Sequence, residues 1–374
     1  MEYDALIVGA GPAGSATAIR LARGGARVLL VDRERFPRDK PCGGGLTGRA
    51  LAHAPCDVAP VVEHEVARLR LRLRYGTSFE RDAGAPLILM TRRWRLDQHL
   101  LEQAALAGAD VHDGSRLTNL VVGADRVTAE LDGGRVAARV LVGADGANGT
   151  VAREAGLGGG VVRGVALEGN VSWDTLPRDC YERTAVIELG QPAGGYGWVF
   201  PKGDHANLGV GGWGSEGPTL RRELRRLAEA HGVPEGALEQ VRGHRLPMRR
   251  PGSDAPARGR VLLVGDAAGL VDPLSGDGIY EAFLSAGLAA RAILGGALDG
   301  YAAALSGALD DHAGASWAAK RALDRHPAAC FWAARAPRVF GVVAGLLRGD
   351  VAHPAEARGL ARPPLRLIAR LARS

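Results

Sequence analysis

At 374 residues, with 46% hydrophobic and 24% charged side chains, the chain has material for a large core in two interleaved domains and no bias toward a fibrous or disordered state. The net charge of +6 is almost all arginine, since Lys40, Lys202 and Lys320 are the only lysines; no basic run is interleaved with aromatics, so a nucleic-acid partner is not expected. Cys42, Cys56, Cys180 and Cys330 form no CxxC and no metal-ligand spacing, and the apolar run Val339–Leu347 is less than half a membrane span.

In chain order, Tyr3–Val8 reads as a buried strand running into Gly9-Ala10-Gly11-Pro12-Ala13-Gly14 and a small-residue helix, Ser15–Arg23. A second strand, Arg27–Val31, ends on Asp32, eighteen residues after Gly14. This is the βαβ dinucleotide fingerprint in its confirming context. Gly9, Gly11 and Gly14, with Ala13, allow a tight turn and bring backbone N–H groups to a pyrophosphate at the helix N-terminus. Asp32, with Arg33 beside it, accepts from a ribose hydroxyl. Arg68–Tyr75 alternates with period two, as a half-buried strand does. Pro86–Met90 reads as a strand, Arg95–Ala107 as a helix, Arg116–Leu131 as two strands around a turn, and Arg139–Val142 as a short buried strand leading into Gly143–Asn148. From Val161 to Gly212 turn residues recur every eight to twelve positions, as in an antiparallel sheet. Thr219–His231 reads as a helix, and from Ile279 the chain is helical nearly to its end. Before that helix, Arg260–Val264 repeats the buried-strand pattern and delivers Gly265-Asp266-Ala267-Ala268-Gly269, about 250 residues after the first glycines.

The expected class is α/β: a discontinuous Rossmann-type dinucleotide domain (residues 1–60, 93–160 and 253–300), an inserted antiparallel-sheet substrate domain (61–92 and 161–252) and C-terminal helices (301–374). Further strings carry the chemistry. Arg93 opens the helix after the Pro86–Met90 strand, either at the cofactor or as one solvated arginine among Arg92, Arg93 and Arg95. Asp145-Gly146 follows a buried strand, and its bland reading is an ordinary Asp-Gly turn. Gly276 and Gly278 precede a helix starting near Ile279, whose N-terminus favours negative charge by about 0.3–1 kcal/mol. Lys40-Pro41-Cys42-Gly43-Gly44-Gly45-Leu46 and Tyr196-Gly197-Trp198-Val199-Phe200-Pro201-Lys202-Gly203-Asp204 complete the set. Tyr196 and Trp198 alternate along one strand, so their rings share a side.

Over residues 1–300 these strings together resemble the geranylgeranyl reductase family of FAD-dependent oxidoreductases, with the p-hydroxybenzoate-hydroxylase-like flavoprotein fold. The resemblance implies FAD, with Asp266 at the flavin ribitol, Arg93 and the Asp145-Gly146 motif at the cofactor, and Gly276, Gly278 and Ile279 at the isoalloxazine ring. It also implies that Cys42, with Gly43 and Gly44, lies at the flavin and matters for turnover, with Cys42 or a nearby water as the candidate acid. Tyr196 and Trp198 would then line a wall beside the ring, their π faces suited to a polyprenyl chain or a carbocation. The implied reaction is hydrogenation of an isoprenoid C=C bond. Either NAD(P)H or a ferredoxin fits as reductant, because Gly156–Gly160 follows a helix and makes no second fingerprint.

Three competing readings share the fold. An aromatic monooxygenase has the same FAD motifs. A halogenase needs a substrate-domain lysine, and none occurs between Lys40 and Lys202. A flavin-free prenyl-binding carrier does not need the intact glycines, Asp32 and Asp266. Cys56, Cys180 and Cys330 are expected to be structural, and His205 and His244 to lie on the surface. With no signal peptide before the first strand, a cytoplasmic protein is expected. The ending RPPLRLIARLARS winds as a basic amphipathic helix, either docked on the body or in peripheral contact with a membrane.

Overall fold

The computed structural model describes residues 2–350. The amphipathic segment at 362–373 lies outside the described residues.

An eight-stranded sheet carries the fingerprint. Its parallel strands stand in the order Val261–Leu263, Gly134–Gly143, Glu2–Val8, Val28–Val31, Asp110–His112. The first strand is therefore central, with the chain leaving it to one side and returning on the other. In such sheets the crevice beyond that strand's carboxyl end receives the ligand, and Gly9–Gly14 sits there. Val and Leu runs such as Val28–Val31 are buried throughout, as expected of strands covered on both faces. Helix Pro12–Arg23 packs against helices Ile279–Leu294 and Arg93–Leu106.

The seven-stranded sheet runs Glu239–Met248, Val162–Ser172, His205–Trp213, Tyr196–Pro201, Thr184–Leu189, Arg68–Leu73, Ser78–Asp82. One face takes Leu220, Leu224 and Leu227 of helix Leu220–Ala230 onto Val199, Leu208 and Val210. The other looks toward the dinucleotide sheet and the C-terminal helices. A small third sheet, Gly45–Thr47, Ile88–Met90 and His64–Val66, joins the two.

Several elements differ from the expectation. The short strand Arg139–Val142 extends over Gly134–Gly143, because its first half pairs antiparallel with Val127–Leu131 before its second half joins the parallel core. The inserted sheet is not wholly antiparallel, since Arg68–Leu73 and Thr184–Leu189 run parallel. Strand Glu239–Met248 escapes hydrophobic patterning: it is an edge strand, exposed over most of its length, and had no need of apolar alternation. The C-terminal helical stretch is cut into Tyr301–Arg325, Pro327–Ala334 and Pro337–Arg348, each break falling before a proline. No single helix among the described residues is long and apolar enough to cross a membrane.

Candidate functional site

The Gly-rich turn is held by its own backbone. Gly9 N–H donates to Val31 O at 2.7 Å, and Ala10 N–H donates to Asp32 Oδ2 at 2.7 Å. A Cβ on Gly11 would meet nothing closer than Arg38 Nη2 at 3.5 Å and Arg93 Nη2 at 3.9 Å. The space over the helix N-terminus is thus open and flanked by two guanidinium groups, which suits a pyrophosphate. Arg93 is not the solvated arginine of the alternative reading. It is buried, with Nε and Nη2 on Asp97 at 2.8 and 2.7 Å, and Arg38 Nη1 reaches the same carboxylate at 2.8 Å.

The later half of the signature closes on the first. Gly265 is at φ +55°, and a Cβ there would sit 2.9 Å from that of Ala13. Asp266 is paired with Lys40 Nζ at 3.1 Å and faces His244 Nε2 at 3.7 Å. Burial works against its charge, but Lys40 and then His244 outweigh burial and hold the carboxyl far below its ordinary value. His244 is therefore no surface residue; it lines the cavity against Asp266, and burial lowers its pKa. His205 is also mostly covered, with Nδ1 on Asp204 at 2.6 Å.

The Cys42 loop is held between the two sheets. Cys42 N–H donates to Glu168 Oε1 at 2.8 Å, and Gly44 N–H points at Cys42 Sγ at 3.3 Å. Lys202, 2% exposed, extends from the Tyr196–Pro201 strand end to donate to Gly43 O and, at 2.8 Å, to Thr91 O. Gly44 sits at φ +72°, and a Cβ there would lie 2.0 Å from Lys202 Nζ. The Phe200 ring packs on Gly43. The run of glycines is thus required by contact with the sheet.

Tyr196 and Trp198 share one face, with ring centroids 6.0 Å apart. Tyr196 O–H donates to Ser275 O, tying this strand to the Pro273–Gly278 loop. Trp198 Nε1–H donates to Asn207 Oδ1 at 2.8 Å, and its ring lies across Gly209, where a Cβ would be 2.0 Å away.

Most of the sequence-predicted residues open on one cavity of about 1020 Å³. It brings together Gly9, Gly11, Ala13, Asp32, Arg33, Cys42, Gly43, Gly44, Arg93, Asp145, Gly146, Tyr196, Trp198, Asp266, Gly276, Gly278 and Ile279. Gly14 and Gly265 lie behind it as packing positions. Asp145 also caps a short helix: Oδ2 accepts from Thr150 and Val151 N–H, while buried Oδ1 has no partner among the described residues. Arg33 is exposed and pairs with Glu34 at 3.3 Å. Glu168 and His244 carried no sequence signal of a role, since each reaches the site from a distant segment; Arg38, just before Lys40, matched no motif. Lys202 stood inside a quoted string, where its function as an anchor was invisible.

The FAD binding domain family matches residues 2–283. Among curated relatives, the menaquinone reductase of Mycolicibacterium smegmatis is 33% identical over 83% of this chain and 80% of its own. The chloroplastic geranylgeranyl diphosphate reductase of Oryza sativa subsp. japonica is 32% identical over 79% of this chain and 67% of its own. A geranylgeranyl bacteriochlorophyll reductase-like protein of Thermoplasma acidophilum superposes with a TM-score of 0.81 at 24% identity, covering 99% of both chains. A flavin-dependent brominase superposes with a TM-score of 0.75 at 20% identity over 99% of this chain and 98% of its own, a likeness of fold alone.

Proposed function

We propose, from the premise that this chain belongs to the FAD binding domain family and within it to the geranylgeranyl reductases, that it hydrogenates a C=C bond of a polyprenyl chain. The observation that carries this reading is the cavity wall. Leu69, Leu71, Ile187, Met248, Leu323 and Leu347 extend an apolar surface from the Cys42 loop to the C-terminal helices, a lining suited to an isoprenoid tail. The relatives named above act, by their names, on a quinone and on a prenyl diphosphate, so the head group that this chain accepts is part of the proposal.

When bound, reduced FAD supplies a hydride to one alkene carbon. The chain's own residues do the rest. Gly9–Gly14, Arg93 and Arg38 would hold the pyrophosphate, Asp32 the ribose and Asp266 the ribitol. Tyr196 and Trp198 confine the alkene and offer π faces to positive charge developing on it. Cys42, its loop fixed by Glu168 and Lys202, would stand beside the alkene and the cofactor. An unactivated trisubstituted alkene is a poor hydride acceptor, so a proton must reach the other carbon before or with the hydride.

The test is anaerobic turnover with dithionite-reduced protein on prenyl diphosphate, prenyl glycerolipid, prenylated quinone and a specialised prenylated metabolite. Product mass is expected to rise by pairs of hydrogens on at least one of them. A strict need for oxygen, with gain of one oxygen atom, would transfer the chain to the monooxygenases. The same assay driven by NADPH or by reduced ferredoxin identifies the physiological donor. Asp266→Ala removes the charge that Lys40 and His244 now hold in place, and it is expected to purify with most of its yellow colour lost. Full flavin occupancy in that variant would remove Asp266 from the cofactor site.

A further inference from the structure

A second group of titratable side chains lies on the same cavity wall, around the Pro273–Gly278 loop. Asp272 precedes the Pro273–Gly278 loop, Asp277 lies within it, and Glu281 sits in the first turn of helix Ile279–Leu294. His312 arrives from helix Tyr301–Arg325, and Arg49 from the short helix Gly48–Ala52 lies 4.1 Å over the Tyr280 ring. Asp272, Asp277, Glu281, His312 and Arg49 all line the cavity. One ligating atom each from Asp272, Glu281 and His312 falls within 4.8 Å of the others.

The three carboxyls are not equivalent. Asp272 Oδ1 accepts from Leu274 N–H, Ser275 N–H and Ser275 O–H at 3.1, 2.7 and 2.8 Å, while Oδ2 faces His312 Nε2 at 3.3 Å. Burial raises the Asp272 carboxyl, but His312, Ser316 and the Ser275 backbone outweigh it and leave the value low. Asp277 Oδ1 accepts from Ile279 N–H at 2.9 Å, and burial, aided by the charge of Asp272, takes that carboxyl to about 6. Glu281 is 4% exposed, and its Oε2 meets no hydrogen-bond partner among the described residues. A buried carboxylate oxygen without a donor is costly, whereas the hydroxyl of a carboxylic acid carries its own donor. Burial first, then the charges of Asp277 and Asp272, push this carboxyl well above the ordinary value, against the weaker opposing pull of its own backbone N–H and of Arg49.

We propose that Glu281 is held as a carboxylic acid in the resting protein and is the proton donor of the cavity, recharged through His312 and Asp272. The inference rests on the alkene-reductase reading. In the step, the Glu281 O–H bond breaks and its electron pair stays on the carboxylate. The C=C π bond breaks, and its electron pair forms the C–H bond to that proton at one alkene carbon, leaving the other carbon electron-deficient to take the hydride. The electron pair of the second C–H bond comes with the hydride, so no other reductant is needed. Recovery from solvent passes through His312, whose side chain remains 18% exposed beside Asp272.

The experiment compares wild type, Glu281→Gln and Cys42→Ser as full-chain flavoproteins. Infrared spectra at pH 8 in H₂O and D₂O are expected to show an isotope-sensitive protonated-carboxyl stretch that is present in wild type and Cys42→Ser and missing in Glu281→Gln. Single-turnover reoxidation by the best substrate is expected to slow roughly 10²-fold or more in Glu281→Gln, with dithionite reduction of the flavin unchanged. Absence of the band from wild type, or its survival in Glu281→Gln, overturns the proposal whether or not an isoprenoid is the substrate. Stoichiometric Mn²⁺ binding that Glu281→Gln abolishes would make the cluster a cation site instead, and also overturns it. If no prenyl substrate oxidises the wild-type flavin, the function fails while the infrared result still judges Glu281.

Discussion

Gly14→Ala is expected to leave little soluble flavoprotein. A Cβ at Gly14 would lie 1.8 Å from Gly9 O, 3.0 Å from Gly9 C and 3.1 Å from the Ala144 Cβ. Two of these three atoms are backbone, in the turn that joins the central strand to its helix. Overpacking a core costs about 1–3 kcal/mol when side chains can yield; here the strand–helix joint itself must open, so a loss at or above that range is expected. Opening the joint also draws the Gly9–Ala10 amides away from Val31 and Asp32, so flavin retention should fall with stability. The control is Gly307→Ala, in the exposed interior of helix Tyr301–Arg325, where a Cβ meets nothing within 4 Å. Alanine there is favoured by about 0.8–1 kcal/mol. Thermal melts of the two variants should therefore move in opposite directions, and flavin absorbance should fall only in Gly14→Ala. A Gly14→Ala protein that melts with wild type and stays yellow would refute the close approach.

Lys202→Met is expected to weaken the protein and to silence it further than its stability loss explains. The methionine chain fills the same space but strands Gly43 O and Thr91 O, two carbonyls that Lys202 now satisfies. Each unpaired buried acceptor costs about 1–3 kcal/mol, partly offset because the buried ammonium no longer has to be desolvated. A net loss of about 2–4 kcal/mol is expected in denaturant melts. The Cys42 loop also loses its tether to the sheet, and a misplacement near 1 Å at a reacting centre is worth about 10² in rate. Flavin content should persist, because Lys202 does not touch the Gly9–Gly14 cradle. Unaltered turnover of a prenyl substrate by a stable variant would remove the tether from the mechanism.

Legibility in the sequence followed the range of the interactions. The fingerprint was readable because strand, turn, helix and Asp32 follow one another within thirty residues or so and each has a local residue preference. The later Gly265-Asp266 segment was readable for the same reason. What held the Cys42 loop was not, because Glu168 and Lys202 reach it from 126 and 159 residues away. His244 illustrates the failure most directly. It sits in an edge strand with a polar sequence, which reads as surface, yet the sheet turns that one side chain toward Asp266. The acid cluster was hidden in the same way: Asp272 and Glu281 precede and open a helix as capping acids do, and His312 joins them only through the packing of a helix that begins twenty residues later.

The strand order has a consequence for biosynthesis. The central strand Glu2–Val8 leaves the ribosome first, but one of its neighbours, Gly134–Gly143, must be made before it is paired on both sides, and the Val261–Leu263 strand that delivers Asp266 comes later still. At about 5–20 residues per second, on the order of 10–50 s separate the emergence of Gly14 from that of Asp266. Throughout that interval the nascent chain carries the Gly9–Gly14 turn without Asp266 and a parallel sheet that lacks its Val261–Leu263 strand. A nascent chain arrested before Val261 should therefore emerge colourless and depend on chaperones to keep its unpaired strands apart.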